Sequence, residues 1–129
     1  MDVKGIHLLI DLYGCPAEIL DDAPHIEAVA REIAGRIQAE VLNASCHRLS
    51  PQGVILVLAL RQSHLSIHTW PEAGYGAVDL FFYMPDPVKV SSLAEVLRER
   101  FGAARFEECT LKRGAGLSGK TAMSYRSWP

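Results

Sequence analysis

From Val3 to Leu12 the chain alternates, with Ile6, Leu8, Ile10 and Leu12 on one side and His7, Leu9 and Asp11 on the other. That period of two predicts a strand. Tyr13-Gly14-Cys15-Pro16 breaks it with a turn. Ile26, Val29, Ala30, Ile33 and Ile37 then recur at helical spacing, which predicts one amphipathic helix from Pro24 to about Ala39. Pro24 suits its first turn, and Asp21 and Asp22 place negative charge at its N-terminus. Two strands are expected next, Glu40 to Arg48 and Val54 to Arg61, joined by Ser50-Pro51-Gln52-Gly53. Leu65 to Thr69 and Ala77 to Tyr83 read as further strands around a Pro71 to Gly76 turn. Leu93, Val96, Leu97 and Phe101 stripe a second helix over Val88 to Phe101, and Ser92 and Glu95 have capping-box spacing. Ala104 to Lys112 completes the set as a last strand. The pattern predicts an α+β fold: a two-layer sandwich of a mainly antiparallel sheet with two helices on one face. One domain is expected over residues 1–113, followed by a flexible tail over 114–129 that is rich in Gly, Ser and Lys.

Composition narrows the function classes. A chain of 129 residues supports one real core but not two. A net charge of −2 with scattered Lys and Arg gives no electrostatic case for nucleic acid. The longest apolar run, Val54 to Leu60, is far too short to span a bilayer, and no signal-peptide pattern follows Met1, so a cytoplasmic protein is expected. Cys15, Cys46 and Cys109 lack metal-ligand spacing and read as reduced, packed thiols. His64 and His68 would share a face for zinc only on a helix, and their segment reads as strand, so no metal site is expected.

The central segment carries the chemistry. Gln62-Ser63-His64-Leu65-Ser66-Ile67-His68-Thr69-Trp70-Pro71-Glu72 sets a serine at the end of an apolar run, a histidine five residues on and a carboxylate four beyond. A serine hydroxyl can attack the preceding carbonyl and turn that amide into an ester. Loss of the serine α-proton then eliminates the ester, and hydrolysis of the dehydroalanine releases ammonia and leaves a pyruvoyl group. That ketone accepts a substrate amine as a Schiff base and acts as an electron sink when carbon dioxide leaves. His68 suits the proton transfers. On a regular strand, however, residues 63 and 68 face opposite ways, so their cooperation requires a bend or bulge near Ser63.

These residues resemble the prokaryotic S-adenosylmethionine decarboxylases. The resemblance runs from about residue 5 to 113. It rests on Leu12-Tyr13-Gly14-Cys15, Ile19-Leu20-Asp21-Asp22, Ser50-Pro51-Gln52-Gly53, the Ser63 to Glu72 string and Gly74-Tyr75-Gly76-Ala77-Val78-Asp79. It implies a pyruvoyl-dependent decarboxylase of polyamine biosynthesis, cleaved between Gln62 and Ser63, with a pyruvoyl cofactor derived from Ser63. It further implies a homodimer with active sites at the interface, His68 assisting processing, and Glu72 holding the polar side of a small amine substrate.

The departures bear on the substrate. Gln62 stands where the family usually has glutamate, and Ile55 replaces a serine that assists processing. Tyr83 replaces the cysteine that gives a proton to the decarboxylated carbon. Leu49 replaces a phenylalanine that stacks on adenine. Asp11 replaces a glutamate. Loss of the stacking ring fits a smaller basic amino acid, L-ornithine or L-arginine, whose distal cation would need Asp11, Glu72 or Asp79. Two alternatives stay open: S-adenosylmethionine itself, or a homologue that Ile55 leaves uncleaved.

Overall fold

The computed structural model describes residues 5–83, 92–114 and 122–128. The strands are β1 (Gly5–Tyr13), β2 (Val41–Arg48), β3 (Val54–Leu60), β4 (Ser63–Trp70), β5 (Tyr75–Phe82), β6 (Arg105–Arg113) and β7 (Ala122–Trp128). They form one sheet in the order β2-β3-β4-β5-β1-β6-β7, antiparallel throughout. Helices α1 (Ala17–Leu20), α2 (Ala23–Arg36) and α3 (Leu93–Phe101) complete the second layer. Alternation decides which side chains meet them. Leu8, Ile10 and Leu12 of β1 are buried with Leu56 and Leu58 of β3, Leu65 and Ile67 of β4, and Val78 and Leu80 of β5. Ile26, Val29 and Ile33 of α2 and Leu97 and Phe101 of α3 close the core from above. The sandwich expected from the pattern is the fold.

The differences are local. Helix α2 stops at Arg36 rather than Ala39, because Gln38 turns to φ 58, outside the helical region. Asp22 caps α2 by accepting a hydrogen bond from the His25 amide, whereas Asp21 reaches away and accepts from the Gly53 amide at 2.9 Å. Gly53 sits at φ 106, where a Cβ would lie 2.9 Å from the Thr69 carbonyl oxygen, so only glycine fits this turn. Helix α3 begins at Leu93, and Ser92 gives it no side-chain cap; residues 88–91 of the expected helix lie outside the described residues. The flexible tail expected over 114–129 needs correction: Ala122–Trp128 form β7, paired with β6 from Lys112↔Ala122 to Phe106↔Trp128. Among the described residues no helix is long and apolar enough to cross a membrane.

Candidate active site

Strands β3 and β4 are joined by a two-residue turn, Arg61-Gln62, with Leu60 opposite Ser63. Gln62 adopts φ 63, a left-handed conformation that disfavours a non-glycine residue. The Gln62–Ser63 peptide therefore lies at the tip of a tight hairpin. The Ser63 hydroxyl donates to the Arg61 carbonyl at 3.4 Å. Gln62, Ser63 and Tyr83 line one cleft of about 330 Å³ together with Gln38, Glu40 and Arg61. Tyr83 is 47% exposed on its rim, not packed in the core.

The bend expected near Ser63 does not occur. Pairing runs without a shift from Leu60↔Ser63 to Ile55↔His68 and, on the other side, from His64↔Phe81 to Trp70↔Tyr75. Ser63 and His68 thus keep opposite faces, and five residues of strand separate them by roughly 17 Å. Within one chain the structure joins Ser63, Gln62 and Tyr83 but not His68.

His68 anchors a second cluster at the far end of β4, on the sheet face opposite the helices. Ile55 stands beside it on β3. Its ring stacks on Trp70 at 3.7 Å, Trp70 stacks on Tyr75 at 5.0 Å, and Tyr75 stacks on Tyr13 at 5.5 Å. Asp11 lies beneath, accepting from the Tyr75 hydroxyl at 2.6 Å and from the Tyr13 hydroxyl at 3.4 Å. Burial, helped by the Asp11 charge, pushes the Tyr13 hydroxyl up to about 12; burial and the hydrogen bond to Asp11 raise Tyr75 as well. Both tyrosines remain neutral donors that hold the Asp11 side chain in place. Glu72 is exposed on the short 3-10 turn Pro71–Ala73 after β4. Leu49, 36% exposed, follows β2 at the same end, fixed by its amide to the Gly53 carbonyl at 2.8 Å. Asp79 accepts from the Ser66 hydroxyl at 3.4 Å, and His7 Nε2 approaches it at 3.5 Å.

Sequence reasoning missed three features. Glu40 and Arg61 line the Ser63 cleft, 21 residues apart with no local signal. Thr69 is a buried polar clasp: its hydroxyl donates to the Leu20 carbonyl at 2.6 Å and accepts from the Val54 amide at 2.9 Å. His25 bridges α2 to α3 through the Arg100 carbonyl at 2.8 Å. Cys15 is buried as expected, and burial pushes its thiol up to about 11.

A family model for S-adenosylmethionine decarboxylase matches residues 6–114. The chain belongs to the S-adenosylmethionine decarboxylase family. It is 42% identical to an S-adenosylmethionine decarboxylase proenzyme of Acetivibrio thermocellus, over 88% of this chain and 91% of that protein. It is 39% identical to one of Clostridium kluyveri, over 88% and 90%. The crystal structure of the adenosylmethionine decarboxylase from Aquifex aeolicus superposes with a TM-score of 0.77 at 27% identity, covering 88% of this chain and 93% of that one. S-adenosylmethionine decarboxylase-family proteins are pyruvoyl-dependent decarboxylases whose cofactor forms by self-cleavage at a serine.

Proposed function

We propose that this chain cleaves itself between Gln62 and Ser63, carries the pyruvoyl group at Ser63, and decarboxylates a basic amino acid, L-ornithine or L-arginine, as a homodimer. The observation that carries this reading is the scissile bond's place: a two-residue turn, with Gln62 at φ 63, opening on a cleft shared with Tyr83. The residues fit the group. Ser63 is half-buried, its hydroxyl is directed at a turn carbonyl, and the cleft beside it leaves room for a small amine. Once formed, the pyruvoyl supplies an electrophile for the amine and a sink for the electrons released with carbon dioxide. Tyr83 stands where it can return a proton.

The separation of Ser63 from His68 supports a dimer. A second copy laid across the open sheet face, turned end for end, would set the hairpin tip that carries Ser63 over the end of its partner's sheet that carries His68, Asp11 and Glu72. The composition of β3 agrees: Val54 to Leu60 is apolar at every position, the mark of a strand covered on both faces. Yet Val57 is 41% exposed in the single chain.

For the substrate, Leu49 offers no aromatic face to a purine, and Tyr83 stands in place of a thiol. Both favour the smaller substrate. The second reading, S-adenosylmethionine, is favoured by what the relatives at 39–42% identity are called. Release of carbon dioxide from ornithine, arginine and S-adenosylmethionine, measured side by side, tests the choice. Turnover of ornithine or arginine is the expected outcome, and turnover of S-adenosylmethionine alone would reject the smaller substrates.

A further inference from the structure

Glu40 immediately precedes β2, and Arg61 immediately follows β3. Two bonds tie them together. The Arg61 amide donates to the Glu40 carbonyl at 2.9 Å, and Arg61 Nε donates to the Glu40 carboxylate at 2.7 Å. The carbonyl of Arg61 in turn accepts the Ser63 hydroxyl at 3.4 Å. Arg61 is thus held by Glu40 through backbone and side chain while the hydroxyl of Ser63 rests on it, and Gln62 is fixed between at φ 63.

We propose that Glu40 is a positioning residue for self-cleavage: through Arg61 it holds the turn that keeps the Gln62 carbonyl within reach of the Ser63 hydroxyl. The proposal rests on the reading of Ser63 given above. In the step it serves, the Ser63 oxygen bonds to the Gln62 carbonyl carbon, the carbon–nitrogen bond breaks, and the hydroxyl proton ends on the Ser63 nitrogen. Glu40 and Arg61 take no part in those bond changes. They restrict the turn, and restricting the geometry of reacting atoms is itself a rate effect.

Two further observations shape the prediction. The ion pair is largely exposed, 64% at Arg61 and 61% at Glu40, so it is screened by salt and adds little to global stability. After cleavage Arg61-Gln62 is a chain end, no longer bonded to the residue that carries the pyruvoyl. The clamp therefore acts on how fast the cofactor forms.

The test follows cleavage of the full chain over time after cell-free synthesis. Glu40→Gln is expected to slow cleavage about fivefold, the limit set by an exposed pair. High salt should slow the native chain toward the variant's rate and leave the variant unaffected. Reversing the pair, Glu40→Arg with Arg61→Glu, should restore most of the native rate. Cleavage of Glu40→Gln at the native rate, or failure of the reversed pair to recover, would each overturn the role of Glu40. If the native chain itself stays whole, the reading of Ser63 falls first, which a native rate in the variant alone would not cause.

Discussion

Tyr83 sets a phenolic hydroxyl on the rim of the Ser63 cleft, on the residue directly after β5, whose Phe82 is buried beneath. The ring can stay in place while its proton is removed, so Tyr83→Phe separates shape from chemistry. Self-cleavage should persist, and decarboxylation per pyruvoyl should fall about 100-fold, the loss of one general acid. Equal turnover by the two proteins would remove Tyr83 from the reaction. Ser63, His68 and Glu72 are proposed from the sequence because they stand within ten residues in one specific string. Glu40 and Arg61 were not, because what joins them is the pairing of β2 with β3. His25 was missed for a similar reason: its partner, the Arg100 carbonyl, is 75 residues away.

Strand alternation was the most legible feature of the elements, since each period-two run had one face to bury. β1 and β3 match their expected extents within about two residues. The ends of helices were less legible: Ser92 gives no side-chain cap, Asp22 caps α2 where only its charge was expected, and α1, only four residues long, gave too short a pattern to read. Strand β7 escaped because a Gly- and Ser-rich approach hid it, and its place depends on the β6 edge. Thr69 links three elements, and Thr69→Val would strand the buried Val54 amide and the Leu20 carbonyl. The expected loss is about 1–3 kcal/mol for each group left without a partner, seen as a lower urea midpoint with an unchanged slope. A pH effect belongs to the β6–β7 edge. Burial raises the Glu108 carboxyl above its ordinary value, although Arg126 on β7, bonded to it at 3.0 Å, pulls the other way. A raised folded-state value means the folded chain holds the proton longer. That contribution is fully present below the ordinary carboxylate range and fades as pH rises through the raised value. Glu108→Gln should flatten the stability slope just above that range, and an unaltered slope would exclude Glu108 as its source.

At the scale of the molecule, one layer of helices covers one face of a seven-stranded sheet and leaves the other open. Ile55, Val57 and Ala59 project onto that open face as an apolar stripe beside His68 and Trp70. Val57→Arg would place a charge in the proposed interface without touching the core. Sedimentation should then give a monomer that cleaves slowly and decarboxylates weakly; a fully active monomer would rule out a shared site. The sandwich was legible from hydrophobic pattern alone, and the chemistry from one string. The division of Ser63 and His68 between two ends was hidden, because the expected bend had no counterpart in the continuous β4 register. The most direct test of the central claim is the denatured mass spectrum of freshly purified protein. Two chains, residues 1–62 and 63–129, the second with a blocked, pyruvoyl-bearing N-terminus, are the expected result, and Ser63→Ala should give one whole chain. A native protein that remains whole would contradict self-cleavage at Ser63 and the decarboxylase built on it.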